Sequence, residues 1–219
     1  MSNFWNVIWG GIIILLLASG AFNVIDWSVN LIAIAVVVVI WLISMYNTFV
    51  KLVQRTKEAW ADIDVQLKRR YDLIPNLVET VKGYAAHERE TFDAVTNARA
   101  EATKVHVDPT NLTPESIIAM SQAETGLTQA LGKLLAVAEA YPDLKANTNF
   151  LELQRELSDT ENKIQAARRF YNGNVRDLKI ALQSFPSNVI GSLFKFEEEP
   201  YFELDENDAA AKVPVKVSF

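Results

Sequence analysis

Between Trp27 and Val50 the chain reads WSVNLIAIAVVVVIWLISMYNTFV, with no charged residue. As an α-helix this run is about 36 Å long, against a bilayer hydrocarbon core of roughly 30 Å, so it is long enough to span. The buried helix of a soluble core rarely sustains so long an uncharged stretch. Trp27 and Tyr46 place amphipathic rings near the ends of the run, where headgroup-level aromatics are favoured, while Trp41 lies deeper. A lipid anchor is therefore the first expectation.

Asp26 is the only charged side chain among the first fifty residues. Ahead of it, Phe4 to Phe22 forms a second uncharged run, FWNVIWGGIIILLLASGAF. The terminus lacks the basic n-region of a cleaved signal peptide. Gly10, Gly11, Ala18, Gly20 and Ala21 would let a neighbouring helix approach closely. The reading favoured is a transmembrane helical hairpin with helices at about 4–22 and 29–50 and a turn around Asn23 to Ser28; a re-entrant or interfacial first segment is the alternative. Basic residues crowd the C-terminal flank: Lys51, Arg55 and Lys57 beside the membrane, then Lys68, Arg69 and Arg70. Positive charge marks the cytoplasmic side, so the remainder is expected in the cytoplasm, attached to the cell inner membrane. The same cluster could serve anionic lipid or nucleic acid, but a net charge of -6 argues against a nucleic-acid partner.

Beyond the anchor the apolar spacing is helical throughout, giving an all-α fold class. A first seam runs Tyr46, Phe49, Val53, Thr56, Trp60, Ile63, Leu67, Arg70, Ile74, Leu77, Val81, Tyr84 in coiled-coil spacing and predicts one rod from the membrane to about Lys104, kinked at Pro75. A second begins with Thr113 as cap and Pro114 at the first helical position and stops at Pro142. A third, with Asn149 as its expected cap, runs from Phe150 to Phe185 and stops at Pro186. Three long helices with short connections predict an elongated antiparallel bundle. The organisation expected is an anchor over 1–50, a helical bundle over 51–186 and a tail over 187–219. The tail opens with the apolar stretch NVIGSLFKF, expected as a short helix, and then turns extended and acidic, with seven acids and two lysines from Glu197 onward.

Lengths bear on partners. Lys51 to Lys104 as one helix spans about 81 Å and Pro114 to Tyr141 only about 42 Å, so the second helix cannot cover the first. The stripe Val53, Trp60, Ile63, Leu67 needs apolar cover from the overhang of the third helix, from the tail, or from another copy. Another copy is preferred, making Val53, Trp60, Ile63, Leu67 and Arg70 a candidate oligomer or partner interface and the chain a homo-oligomer. Arg70, Glu124 and Asn174 interrupt otherwise apolar seams. They fit either a register-setting device or solvated positions at the bundle rim.

Catalytic constellations are sparse. There is no cysteine, which excludes disulfides and thiolate chemistry. The two histidines, His87 and His106, lack the spacing of a zinc motif, since Thr91 stands where a second ligand belongs. Glycines form no phosphate loop, and Glu-x-x-His does not occur. Asp62 with Asp64, or Glu152 with Glu156, have the spacing of ordinary surface charge. No enzyme, metal or cofactor is expected.

Three segments carry a resemblance: AWADIDVQLKRRYDLIPNLVETVKGYAAHE over Ala59 to Glu88, NTNFLELQRELSDTENKIQAARRFYN over Asn147 to Asn172, and FPSNVIGSLF over Phe185 to Phe194. From about Met45 onward the chain resembles the LemA family. The resemblance implies a bacterial inner-membrane protein with a cytoplasmic helical bundle and no established catalytic activity, associated with membrane-stress and membrane-protease systems. It transfers no active-site residue. The matched positions Trp60, Asp62, Asp64, Gln66, Arg69, Arg70, Tyr71, Pro75 and Asn76, with Arg168, Tyr171 and Asn172, are candidates for structural or partner contacts. The extra hydrophobic run at 4–22 departs from the single span usual in similar members. The functional expectation is a self-associating, non-enzymatic membrane scaffold that presents a helical surface to membrane-protein partners, with a sensory adaptor as the alternative and a hydrolase third.

Overall fold

The computed structural model describes residues 10–12, 14, 18, 26–105, 107–109 and 111–202. Among these residues the protein is all-helical, with no strand. The elements are α1 (Trp27–Lys82), α2 (Arg89–Lys104), α3 (Pro114–Glu139), α4 (Pro142–Lys145), α5 (Thr148–Gln183) and α6 (Ser187–Leu193). Most of the expected first hairpin helix and residues 23–25 of its turn lie outside the described residues, as does the acidic stretch after Phe202. Two compact units divide the chain: residues 1–53 with 180–197, and residues 54–179 with 198–219.

Local chemistry sets the helix ends. The Asp26 carboxylate accepts from the Ser28 backbone N–H at 3.2 Å, so the lone early charge caps the start of α1. At α3, Thr113 Oγ1 accepts from Ser116 N–H and Ser116 Oγ accepts from Thr113 N–H, each at 3.2 Å, a reciprocal capping box with Pro114 in the first turn. The cap of α5 is Asn147, whose Oδ1 accepts from Phe150 N–H at 3.0 Å, and not Asn149, which lies inside the helix.

The first rod is shorter than its spacing predicts. α1 passes through Pro75 without a break and stops at Lys82, and a turn over 83–88 precedes a separate α2. Tyr84 and Ala85 N–H groups both return to the Val81 carbonyl, at 3.0 and 2.9 Å. Burial supplies the reason. In a straight helix Val95 would lie about 32 Å beyond Ile74. After the turn, Phe92, Val95 and Ala102 share one core cluster with Ile74, Leu77 and Val81.

In the first unit, Trp27, Leu31, Ile32, Val36, Val39, Ile40 and Ile43 remain exposed along α1, which is long and apolar enough to cross a membrane. Further along, Tyr46 and Phe49 meet the segment after α5. Tyr46 lies edge-on to Phe194 at 4.9 Å, and Phe49 stacks on Phe196 at 5.0 Å. Gly191 permits the approach, because a Cβ there would fall 2.8 Å from Leu182 Cδ2 and 3.4 Å from Phe49 Cζ. The apolar start of the tail thus folds as the short helix α6.

The second unit holds two cores. One joins α1 (Ile74 to Val81) to α2, α3, Leu144 and the first turns of α5. The other joins Ala59, Trp60, Ile63 and Leu67 of α1 to Val107, Leu112, Ile117, Met120, Ile164, Tyr171, Val175 and Phe202.

Candidate functional site

The stripe singled out as an oligomer interface is closed within one chain. Trp60, Ile63 and Leu67 are 2%, 0% and 1% exposed. Their cover comes from the loop after α2, the start of α3, the later half of α5 and Phe202. Length arithmetic set α3 alone against an overlong α1; α5 and the tail supply the missing apolar surface. Arg70 is likewise buried, while Val53, in the other unit, is partly exposed. An open seam therefore no longer supports assembly through Trp60, Ile63, Leu67 and Arg70. Lys51 and Arg55 are exposed and Lys57 is half-buried.

Two polar arrangements occupy the second unit. The first centres on Arg70 of α1. Its guanidinium pairs with Glu124 of α3, and Nη1 donates to Glu161 of α5 at 2.9 Å. Arg70 and Glu124 are 2% and 4% exposed, so the pair joins two helices inside the bundle rather than reaching the rim. Tyr71 donates its phenol to the other Glu124 oxygen, and Arg99 Nε donates to the Tyr71 carbonyl at 2.7 Å. Burial pushes the Tyr71 phenol up to about 12, with Arg70 opposing the shift and Asp64 adding to it. Both Glu124 oxygens are engaged and the phenol holds its proton, so this cluster is built to join helices. Asn174, the third polar seam residue, only bonds back to the Phe170 carbonyl at 3.1 Å.

The second arrangement is a socket for the tail. Asn172 of α5 grips the Phe202 backbone twice: Oδ1 accepts from its N–H at 2.9 Å and Nδ2 donates to its carbonyl at 3.1 Å. Tyr171 donates its phenol to the Pro200 carbonyl at 2.7 Å. The Phe202 ring lies edge-on to Trp60 at 5.5 Å, with the Arg168 guanidinium 4.7 Å from its centroid. Burial, then Glu199, raise the Tyr171 phenol above its ordinary value, which keeps it a donor. Lys179 pairs with Glu198 at 3.1 Å. Four positions matched by the resemblance, Trp60, Arg168, Tyr171 and Asn172, thus converge on Pro200 and Phe202 of the chain's own tail. A cavity of about 280 Å³ adjoins both arrangements, lined by Leu67, Arg70, Glu124, Glu161, Arg168 and Phe202 among others.

The acids considered for chemistry are not drawn together. Asp62, Asp64 and Glu152 are exposed, and Glu156 faces Arg69 at 3.9 Å on the surface. His87 lies exposed in the turn before α2, and His106 is outside the described residues. Among the described residues no group of His, Asp or Glu is placed to hold a metal ion.

Sequence reasoning missed the partnership of Arg70 with Glu124, although opposite charges at two apolar seam positions are the signal for it. It also missed Phe202, whose only local mark is an aromatic residue entering an acidic stretch.

A family model described as the LemA family matches residues 59–219. Magnetosome protein MamQ 2 of Paramagnetospirillum magneticum is 26% identical over 179 residues, covering 74% of this chain and 66% of that protein. Magnetosome protein MamQ of Magnetospirillum gryphiswaldense is 24% identical, covering 74% and 65%. Protein LemA of Metamycoplasma hominis is 25% identical over 139 residues, covering 64% and 60%. The chain spans somewhat less than two thirds of the length of each of these relatives.

Proposed function

The chain belongs to the LemA family, and on that premise we propose that it is a non-enzymatic scaffold, anchored in a membrane through α1, that offers a cytoplasmic helical surface to membrane-protein partners. The observation carrying this reading is the division of α1. Its first half keeps large apolar side chains exposed, and its second half is closed into a core. Lipid is the solvent that suits the first half. The basic flank at Lys51, Arg55 and Lys57 supports the cytoplasmic side of an inner membrane for the rest. In this reading residues 1–50 form the anchor, with a hairpin completed by 4–22, residues 51–186 form an antiparallel bundle, and 187–219 form the tail. Support for a structural role comes from Glu124 and Tyr71, both spent on holding helices together.

The test is threefold. Alkaline extraction leaves the full chain in the membrane pellet and releases a variant lacking residues 27–50. A cysteine introduced at exposed Ile118, in a chain without natural cysteine, is labelled only after the cytoplasmic side is opened. Crosslinking in native membranes followed by mass spectrometry joins the exposed helix faces to membrane proteins. Extraction of the full chain, labelling from outside, or the absence of any crosslinked protein defeats the corresponding part.

A sensory adaptor is the second reading. It is favoured by the continuity of α1, which carries the apolar run and Arg70 in one uninterrupted helix through Pro75. Under it, Pro75→Ala changes partner capture while leaving thermal stability unchanged or higher; unchanged capture removes it.

A further inference from the structure

We propose that α6 is a second lipid contact, its outer face of Val189, Leu193 and Phe194 lying in the interfacial layer of the bilayer beside the end of the α1 span. This deepens the anchor reading above and rests on it, because α1 sets the level at which α6 sits. Contacts inside the first unit fix that level. At 1.5 Å per residue a hydrocarbon core of roughly 30 Å takes about twenty residues, so a span entered at Trp27 leaves the core near Tyr46 and carries its last turn through the headgroup layer. α6 packs on that turn: Phe194 lies edge-on to Tyr46 at 4.9 Å, and a Cβ at Gly191 would fall 3.4 Å from Phe49 Cζ.

The stop of α6 decides which side chains face outward. Phe196 N–H donates to the Gly191 carbonyl at 2.9 Å and Lys195 N–H to the Ser192 carbonyl at 3.3 Å, with Lys195 at a left-handed φ of 55°. This paired closure is the ordinary end of a helix, and it turns the Phe196 ring back onto Phe49 at 5.0 Å. Ile190 and Gly191 are buried on the inner side. Val189 and Leu193, four residues apart on one face, are 55% and 69% exposed, and Phe194 is 51% exposed. A helix apolar on its inner and outer faces belongs in apolar surroundings on both. Two observations make lipid the occupant of the outer side. The exposed apolar face of α1, ending in Val39, Ile40 and Ile43, stops one turn before the contact with α6, so the two surfaces adjoin. Each segment also passes from apolar to basic just beyond that contact, at Lys51 and Lys195, both exposed. Basic side chains at that depth reach the headgroups while their stems stay in apolar surroundings. An interfacial helix buries its apolar face about 5–10 Å into this boundary, a depth that the last turn of the span supplies.

The experiment places a fluorophore on one introduced cysteine at a time, in a full chain that has no natural cysteine. The chain sits in phosphatidylcholine–phosphatidylglycerol vesicles. Leu193→Cys reads α6, Val36→Cys reads the span and Ile118→Cys reads the bundle. Brominated acyl chains quench from lipid and iodide quenches from water. Position 193 is expected to follow position 36, with severalfold stronger quenching by brominated lipid and severalfold weaker quenching by iodide than position 118. Iodide quenching at 193 equal to that at 118 overturns the proposal. Protection of 193 from both quenchers also overturns it, since protein then covers the face, whether a second copy or residues 4–22. Lipid contact at 36 and none at 193 removes the α6 contact and leaves the anchor standing; lipid contact at 193 and none at 36 upholds the α6 contact and removes the span. Should the label at 193 lower helical circular dichroism, Val189→Cys is read by the same criteria. With the fluorophore at 189, Leu193→Ser together with Phe194→Ser should lower lipid quenching severalfold, and unchanged quenching counts against insertion.

Discussion

Glu124→Leu should be among the most damaging single changes in the second unit. It strands Arg70, 2% exposed, with only Glu161, whose side chain is 39% exposed, to balance it. It also takes the acceptor from the Tyr71 phenol. Removing one member of a buried ion pair costs roughly 3–5 kcal/mol, and an orphaned buried hydroxyl about 1–3 kcal/mol more. Two features reduce that total. Glu161 stays 2.9 Å from Arg70 Nη1, and the adjoining cavity of about 280 Å³ has room and polar walls for water. The expected net loss is about 4 kcal/mol, which in a protein of this size lowers the melting temperature by about 10 °C. Adding Arg70→Met removes the stranded charge, and a buried ion pair replaced by apolar groups of similar volume is near neutral. The double variant should therefore return to within about 1 kcal/mol of the parent, less the cost of the Tyr71 hydroxyl. Thermal melts of the detergent-solubilised chains, followed by circular dichroism, measure all three. If the double variant melts no higher than Glu124→Leu, Arg70 and Glu124 do not compensate one another and the buried polar layer is wrongly understood.

Three further outcomes follow from the same contacts. The Tyr71 phenol is raised from an ordinary value near 10 to about 12 in the folded protein, so its contribution is present below pH 10 and is lost as pH climbs through 12. Tyr71→Phe should flatten stability across that window, as melts at stepped alkaline pH with tyrosinate absorbance would record. Thr113→Ala removes half of the capping box on α3 and should cost about 1 kcal/mol, or about 2–4 °C in melting temperature. Gly191→Val should loosen α6 by about 1–3 kcal/mol through contact with Leu182 and Phe49, read as faster proteolysis between 184 and 197. Gly191→Ala should cost less than Gly191→Val, since only the end of the Leu182 side chain has to shift and alanine favours the helix.

What sequence discloses here follows from which physical facts are local. The boundaries of α3 were legible because a cap hydroxyl, a proline at the first turn and a proline beyond the last all act within a few residues. The turn at 83–88 was not. The 3-4 spacing that ends at Val81 resumes through Phe92 and Val95, and a chain that reverses keeps the same apolar period as one that runs straight. Period records which face is greasy and is silent on the direction of the axis. Polar seam residues share the ambiguity: Arg70 and Glu124 read equally as rim or core until α1 and α3 are brought side by side.

The same distinction explains the stripe along α1. Trp60, Ile63 and Leu67 demand apolar cover by their spacing, which is a local fact about one helix face. The supplier of that cover is a nonlocal fact. Part of it comes from Phe202, which lies 142 residues along the chain from Trp60 in a stretch without period. Only the joint presence of Trp60, Arg168, Tyr171 and Asn172 in the resembling segments hinted that these positions act together. Hydrophobic demand therefore fixes that an apolar group must fill the place beside Trp60, while the residue that fills it is set by where the distant tail is held, through Tyr171 and Asn172.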